Sequence, residues 1–485
     1  MLKKIFTNKI LIYLFSRYGT YAIQFFTSIL IADRLGTFYL GVYGFVTLIL
    51  NYLGQIHLGI PNALNVFLVH NKADKEACEN YIASAVILCA YLSVFIALGY
   101  ILYQLFGFSV VAKYRVDKYM LAVSIVAILT YFNGLFLQVL RVRNQVNQMA
   151  LIQSLPVLLN FVCAIFLRGE KLLTAIVTCL VVSNIVILFI AYVYKATPHL
   201  KFYNGTLIGK YQKSILQKGL LLFLYNSCFY FIVISIRSIV STNYTVEEFG
   251  LFTFSFTMAN AVMLLLDSLL TVIFPKMVDL LSSDDNFIIK KTIETIRISY
   301  ISTAHMLVYC AFLFYPIITN LVLPKYNTAL MSMNLISLAI LMNTNSCGYT
   351  TFLIAKNKEK YAAIISATAL ILNVVLGLFF AQVVKVPFSL VIIATMVTYV
   401  YFSFAIVVVA EKFLGTYTIK SSLKGFFPPR LFVPFLVAVL VSLSGETALC
   451  ILPMVAYLLF NVKDIKRIKS LVLKLVNNQN VADIQ

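Results

Sequence analysis

Residues 9–45 read KILIYLFSRYGTYAIQFFTSILIADRLGTFYLGVYGF, and this stretch decides the fold. Its apolar run from Ile10 to Ala32 is long enough to cross a hydrocarbon core of roughly 30 Å as a helix. Arg17 lies about a third of the way into that run, where a charge costs several kcal/mol. Two interpretations stay open: the side chain faces a wet bundle interior, or its long stem reaches the nearby membrane surface.

The whole chain has the composition of a membrane protein. Of its 485 residues 61% are hydrophobic and 12% charged, with a mean hydropathy of +0.93. A soluble chain would carry roughly a quarter charged residues. The pattern predicts an all-α integral membrane protein with about fourteen spans, at residues 10–32, 39–60, 82–106, 119–140, 150–168, 172–194, 215–236, 250–274, 297–323, 330–355, 361–384, 387–409, 429–444 and 447–461.

The last two spans and the two longest loops leave parts of this topology open. The last two spans are short and joined by SGE, so twelve spans plus a re-entrant hairpin is an alternative. The longest loops, 195–214 and 275–296, are predicted to be cytoplasmic, and the second has the pattern of an amphipathic interfacial helix.

The net charge of +20 follows from membrane topology. When basic residues at span ends are assigned to the nearer side, 28 of the 38 Lys and Arg fall on the side of the N-terminal tail. This is the positive-inside bias. It predicts that both termini are cytoplasmic and gives no reason to expect a nucleic-acid partner.

The chain also contains an internal repeat. Residues 218–254 read KGLLLFLYNSCFYFIVISIRSIVSTNYTVEEFGLFTF, and at an offset of 209 they align Gly41 with Gly250 and Phe45 with Phe254. A second pair of blocks, from Arg143 and Lys356, aligns at an offset of 213. We therefore predict an N-lobe of six helices at 1–194, an inter-lobe loop at 195–214, a C-lobe of six helices at 215–409, and two further helices with a basic cytoplasmic tail at 410–485. Parallel repeats of six helices are typical of transporters that work by alternating access.

The sequence has no motif of a common hydrolase. GxxxxGK[ST], HExxH and GxSxG are all absent, and the cysteines have no metal-ligand spacing. The prediction is therefore a protein that is not an enzyme and has no cofactor or metal, driven by a proton or sodium gradient or by the gradient of its substrate.

Few ionisable residues lie within the predicted spans. We predict that Arg17, with Arg34 and Arg237 at span ends, binds an anionic substrate, because the guanidinium fork matches phosphate bidentately. Asp267 and His305 are candidates for ion coupling or charge balance. The alternatives are snorkelling for the arginines and structural hydrogen bonds for Asp267 and His305. The Asn160 and Asn373 amides can also join helices.

The segment ADRLGTFYLGVYGFVTLILNYLGQIHLGIPNAL, residues 32–64, resembles the junction of the first two spans in the polysaccharide-transporter family, the Wzx-type O-antigen flippases of the MOP superfamily. The block KNKEKYAAIISATALILNVVLGLFF, from Lys356, is similar to their later helix pair. The resemblance implies a MATE-like V-shaped bundle. It also implies movement of an undecaprenyl-pyrophosphate-linked oligosaccharide across the bacterial inner membrane during lipopolysaccharide synthesis.

The resemblance implies site residues and partners as well. The pyrophosphate and sugar would be bound by Arg17, and by Arg34 and Arg237, with Asp267 as the coupling acid. Membrane lipids, a polysaccharide polymerase and a chain-length regulator would be its partners. This chain departs from the pattern in its span count, since many relatives have twelve, and in Asn243, which aligns with Arg34.

Three other functions remain as alternatives. The two extra helices suit a flippase of lipid-linked peptidoglycan precursor. A cation-coupled multidrug exporter of the same superfamily would need acids within spans 1–6, and none is there. A membrane glycosyltransferase such as an O-antigen polymerase would need a large outer loop, and the predicted outer loops are short.

Overall fold

The computed structural model describes residues 9–107, 109–198, 205–283 and 285–462, which form helices joined by short turns, with no strand among them. An apolar segment in lipid must satisfy its own backbone hydrogen bonds, and within a single segment only a helix does so. In chain order the helices are α1 Lys9–Gln55, α2 Ile60–His70, α3 Lys75–Phe106, α4 Ser109–Tyr114, α5 Asp117–Val142, α6 Val146–Phe166, α7 Gly169–Val193, α8 Gly205–Asn243, α9 Val246–Leu281, α10 Asn286–Ile317, α11 Leu330–Thr344, α12 Tyr349–Ala355, α13 Glu359–Leu378, α14 Ile393–Phe413, α15 Ile419–Phe426, α16 Pro429–Ser444 and α17 Leu452–Phe460.

Short irregular helices extend or precede some of these elements. The π-helical segments Ile318–Val322 and Phe379–Val384 continue α10 and α13. The 3-10 turns Pro324–Ala329 and Thr447–Ile451 precede α11 and α17. By length and composition, eight helices of the described residues could cross a membrane, or nine if the bent pair α15 and α16 forms one span. The total of fourteen stays a prediction.

Helix α1 contains a break that separates the first two predicted spans. Gly36 has a non-helical backbone, with φ 71° and ψ 173°. A Cβ at this position would have no neighbouring atom within 4 Å, so the positive φ, rather than close packing, favours glycine here. The predicted spans 10–32 and 39–60 thus begin in the two parts of one long helical segment.

Two predicted spans contain turns that the hydropathy pattern does not reveal. Residues 56–59 separate α1 from α2, and residues 345–348 separate α11 from α12. Each turn ends at a glycine of positive φ, Gly59 at 72° and Gly348 at 86°. Local backbone bonds keep the turns satisfied, as where the Cys347 N–H donates to the carbonyl of Thr344 at 3.0 Å.

The interfacial helix predicted at 275–296 is wrong. Helix α9 continues to Leu281, and α10 begins at Asn286 after a short turn. Asp285 caps α10, because its carboxylate accepts the backbone N–H of Phe287 at 2.7 Å and that of Ile288 at 3.4 Å. Lys276 and Asp279 therefore belong to α9, and Lys290, Lys291 and Glu294 belong to α10, rather than to a helix of their own.

The chain divides into two units, of which unit 1 comprises Met1–Tyr230 and Tyr244–Thr253. Within it α1 packs on α5, α6 and α7, and α5 packs on α2, α3 and α7. Its apolar core includes the fully buried Leu64 and Leu135. The Tyr131 hydroxyl donates to the Leu53 carbonyl, and the amide of Asn133 donates to the Asn184 side chain at 2.8 Å.

Unit 2 comprises Phe231–Asn243 and Phe254–Gln485. Within it α14 packs on α11, α12, α13 and α15, and α17 packs on α10 and α16. Asn373 of α13 donates to the Ile232 carbonyl at 2.8 Å and to Ser235 Oγ at 2.9 Å, both on α8. Asn373 therefore joins two helices, as its position in a span predicts. The Oδ1 atom of Asn160 in unit 1 has no hydrogen-bond partner among the described residues.

Two glycines aligned by the repeat lie at a close helix crossing inside unit 1. A Cβ on Gly41 of α1 would lie 2.1 Å from the Val246 carbonyl oxygen, and a Cβ on Gly250 of α9 would lie 2.0 Å from that of Thr37. The offset of 209 pairs Thr37 with Val246 just as it pairs Gly41 with Gly250, so the contact is reciprocal. Glycine is present because the two backbones touch.

Candidate substrate-binding site

Arg17 is held by two neutral side chains of unit 1. Its Nη1 donates to Gln153 Oε1 at 2.7 Å, and its Nη2 donates to the Tyr21 hydroxyl at 2.6 Å. Its guanidinium carbon also lies 4.8 Å from the centroid of the Tyr21 ring. Tyr21 is one turn further along α1, and α6 supplies Gln153. The half-buried guanidinium is thus bonded to side chains of the helix bundle.

Arg17 makes no ion pair with a carboxylate of the described residues. Among the described residues the ion pairs join Arg34 with Asp33, Lys118 with Glu170 and Arg143 with Glu79. A buried charge is normally paired with an opposite charge, and hydrogen bonds to neutral groups compensate it only in part. Within the described residues, the positive charge of Arg17 is therefore compensated by neutral hydrogen-bond partners alone.

Arg34 lies at the other end of the first predicted span, just before the break at Gly36. Its Nε is 4.0 Å from a carboxylate oxygen of Asp33 and makes no hydrogen bond within the described residues. The side chain is 24% exposed. The neighbouring acid balances part of its charge, so Arg34 is less available to an anion than Arg17.

Arg237 belongs to the part of α8 that lies in unit 2. The residue is 4% exposed, and its guanidinium carbon lies 5.0 Å from the centroid of the Phe256 ring on α9. An arginine over an aromatic face gains cation–π energy when it leaves water. Of the three candidate arginines, Arg17 and Arg34 belong to unit 1, whereas Arg237 belongs to unit 2.

Of the two candidates for ion coupling, Asp267 and His305, the structure describes the side chain of His305. The side chain of Asp267 lies outside the described residues. His305 of α10 is fully buried, with its Nδ1 2.9 Å from the Tyr309 hydroxyl and its ring edge-to-face with Tyr309 and Phe427. Its Nε2 has no hydrogen-bond partner within the described chain. His305 is surrounded mainly by aromatic rings.

The sequence reasoning missed two buried charged residues in unit 2, Arg297 and Glu411, which are connected through Tyr349. Arg297 of α10 donates to the Asn345 carbonyl at 2.8 Å and covers the Tyr349 ring at 4.9 Å from its centroid. The Tyr349 hydroxyl donates to Oε1 of the buried Glu411 at 3.3 Å. Both charges lie at the boundary of a predicted span, where a charge is ordinarily exposed. Only the polar TNSCG at 344–348 in the middle of a span hinted at this cluster.

No group of three or more His, Cys, Asp or Glu is placed to hold a metal ion in the part of the chain that the structure describes. The hydrogen-bond partners of Arg17 within the described residues are one amide, Gln153, and one hydroxyl, Tyr21. A guanidinium binds phosphate oxygens through its N–H donors.

The sequence matches no protein-family model and no curated protein. Its fold does match solved structures. The lipid II flippase MurJ, in an inward closed conformation, is 13% identical, with a TM-score of 0.68 over 94% of this chain and 100% of that one. An inward-facing multidrug resistance MATE family transporter of the MOP superfamily is 12% identical, with a TM-score of 0.67 over 83% of this chain and 98% of that one.

This chain has the fold of the MOP-superfamily transporters. A third similar structure is a MOP superfamily transporter from Pyrococcus furiosus, 15% identical, with a TM-score of 0.50 over 84% of this chain and 95% of that one. Reverse polarity of the binding pocket suggests a different function for that transporter. The all-helical membrane fold predicted from sequence is confirmed, and the protein is a multi-pass membrane protein whose neighbours are transporters and flippases.

Proposed function

We propose that this chain is a flippase that moves an undecaprenyl-pyrophosphate-linked oligosaccharide, such as an O-antigen repeat unit, across the bacterial inner membrane. The observation that carries the proposal is Arg17, a half-buried cation in a membrane helix whose hydrogen-bond partners, Gln153 and Tyr21, are neutral. A pyrophosphate would supply the missing negative charge, and its oxygens match the guanidinium fork.

The structural comparisons support a lipid-linked substrate over a drug. The match to the lipid II flippase extends over 94% of this chain, against 83% for the multidrug transporter. The Pyrococcus furiosus transporter shows that one fold accommodates binding pockets of different polarity, so the sign of the charges in this chain is informative.

The mechanism we propose is alternating access by two six-helix lobes. The charged head group enters from the cytoplasm, and Arg17 replaces part of its hydration. Arg34 and Arg237 provide further positive charge along the path, while the polyprenyl tail stays in lipid. Asp267 and His305 are our candidates for coupling to a proton or sodium gradient or for charge balance. A polymerase and a chain-length regulator would use the product outside.

The test is a series of variants at Arg17 in the native host. Arg17→Ala should abolish display of the surface polysaccharide at unchanged protein abundance. Arg17→Lys should restore display only in part, because an ammonium group cannot bind phosphate bidentately. Arg168→Ala removes an exposed arginine of unit 1 and is the matched control, with normal display expected. Normal polysaccharide in Arg17→Ala cells would refute the role of this residue.

A flippase of lipid-linked peptidoglycan precursor is the second candidate, favoured by the full-length match to the lipid II flippase. Deletion of the gene separates the two. Accumulation of lipid-linked repeat units on the cytoplasmic face, in cells that keep an intact wall, supports the first proposal. Accumulation of lipid-linked peptidoglycan precursor, with cell lysis, supports the second. Loss of drug resistance alone would favour an exporter.

A further inference from the structure

Helix α15 has its polar side chains turned toward the protein and its apolar side chains turned outward. Ser422 is buried and Ser421 half-buried. Ile419 and Leu423, one turn apart, are 70% and 53% exposed. In a soluble protein this orientation would leave apolar surface in water, whereas in a membrane protein such a face meets lipid.

Buried hydrogen bonds hold α15 in this orientation. Glu411 of α14 is buried, and its Oε2 accepts from the hydroxyls of Ser421 and Ser422, each at 2.7 Å. Gly425 packs closely behind them, since a Cβ there would lie 2.9 Å from Glu411 Oε1. Thr418 and Ser421 form a reciprocal capping box that fixes the start of the helix. The apolar residues of α15 therefore face outward because the hydrogen bonds of its serines to Glu411 fix the opposite face against the protein.

The outward face is also strongly basic. Lys420 and Lys424 flank the exposed apolar residues and are themselves exposed. Lys412 lies over the Tyr417 ring, 5.2 Å from its centroid, at the same end of unit 2. The only acid in the sequence from 410 to 430 is Glu411, which is buried against the serines. Within residues 410–430 the surface thus combines several positive charges with apolar side chains and no exposed negative charge.

We infer that α15 and the residues before it form a binding surface for anionic phospholipid, with Ile419 and Leu423 in the acyl boundary and Lys412, Lys420 and Lys424 at the phosphates. The bend of 56° between α15 and α16 lets α15 follow the membrane surface while α16 enters the bilayer. The positive-inside prediction places this surface on the cytoplasmic leaflet, where anionic head groups attract basic segments. The inference does not depend on which substrate the protein carries.

The experiment uses the absence of tryptophan from the chain. A Leu423→Trp variant of the full-length protein has a single tryptophan, and bromine on phospholipid acyl chains quenches its fluorescence on contact. The protein is reconstituted in vesicles of equal parts phosphatidylglycerol and phosphatidylcholine, with bromine on one lipid or on the other. We expect brominated phosphatidylglycerol to quench roughly two- to five-fold more than brominated phosphatidylcholine.

Five controls make the result specific. Leu440→Trp places the tryptophan on α16, where the native side chain is 67% exposed, and should be quenched equally by the two lipids. The measured quantity is the ratio of quenching by brominated phosphatidylglycerol to quenching by brominated phosphatidylcholine. Adding Lys420→Gln and Lys424→Gln to Leu423→Trp should bring this ratio near one, whereas adding Lys171→Gln, or arginine at positions 420 and 424, should leave the ratio unchanged. High salt should lower the ratio, because exposed charges are screened.

Two outcomes would overturn the inference. Equal quenching of Leu423→Trp by the two brominated lipids, in protein with normal helix content, would mean that α15 meets lipid without selecting anionic head groups. Absence of quenching by either lipid would mean that another protein surface or water covers α15.

Discussion

At the scale of single residues, the neutral hydrogen-bond partners of Arg17 distinguish an arginine that can bind a substrate from one whose charge is used in a structural ion pair. Its guanidinium donates to two neutral acceptors, Gln153 and Tyr21. A carboxylate at either position would neutralise the arginine permanently. Under the proposed function, an amide rather than a carboxylate at Gln153 leaves the charge of Arg17 for the substrate.

Substitutions at Gln153 test this distinction. Gln153→Leu leaves Nη1 of Arg17 without its acceptor and should lower the free energy of unfolding by about 1–3 kcal/mol. Gln153→Glu should keep the stability, because an ion pair replaces the hydrogen bond, but should reduce flipping at least tenfold by occupying the guanidinium. Thermal unfolding in detergent and transfer of labelled lipid-linked sugar in vesicles measure the two effects. Full transfer activity in Gln153→Glu would contradict a role of the free charge.

The sequence predicted Arg17 because a charge stands out within an apolar run. It could not predict Gln153, since one amide among many has no distinguishing pattern and the contact spans 136 positions. Arg297 and Glu411 were missed for a different reason. Each lies at a span boundary, where hydropathy cannot separate an exposed charge from a buried one, and their link through Tyr349 depends on the turn at 345–348.

At the scale of elements, glycine has two different uses within α1. Gly36 provides a positive φ, whereas Gly41 allows the backbone of α9 to approach. Gly54, in the same helix, has neither a positive φ nor an atom within 4 Å of a Cβ position. The three positions therefore predict different responses to alanine.

Alanine substitution at two of these positions forms a matched pair. Gly41→Ala should destabilise the protein by about 1–3 kcal/mol, because the added methyl overlaps the Val246 carbonyl. Gly54→Ala should stabilise it by up to about 1 kcal/mol through better helix propensity. The midpoint of thermal unfolding of the purified protein measures both. A Gly41→Ala variant as stable as Gly54→Ala would show that the close helix crossing contributes little.

Helix positions were easier to predict than helix ends. Hydropathy finds an apolar run, but it does not register a turn most of whose residues are not polar, as in IHLG at 56–59, where His57 is the one polar residue. It also ends a helix at the first charges, which is why the charged ends of α9 and α10 were assigned to a separate interfacial helix. Caps such as Asp285, and not hydropathy, determine where these helices begin.

At the scale of the whole molecule, charge asymmetry predicts orientation in the membrane. Both repeats begin on the same side, so equivalent loops of the two lobes should face the same compartment. The fold is confirmed by similar structures, but a fold without a membrane does not define sidedness. Orientation therefore remains a prediction from the sequence.

Cysteine labelling in cells measures this orientation. In a variant whose native cysteines are replaced by alanine, Lys72→Cys and Lys360→Cys should react with an impermeant maleimide only after the inner membrane is opened. Ala112→Cys and Lys325→Cys should react as soon as the outer membrane is permeable. All four native positions are exposed, so access depends on the membrane alone. The reverse pattern would invert the topology, and a mixed pattern would contradict parallel repeats.

The close crossing of α1 and α9 at Gly41 and Gly250 shows one difference between a single chain with two repeats and a homodimer of one repeat. Under the offset of 209, Gly44 aligns with Thr253, the residue it packs against, and a Cβ on Gly44 would lie 2.2 Å from Thr253 Oγ1. In a homodimer built from one half, a two-fold axis would bring this position against its own copy, so two threonines would collide and two glycines would leave a gap. When one chain contains both repeats, the two equivalent positions can differ, with a small side chain at one and a larger side chain at the other. Two identical subunits cannot make this combination.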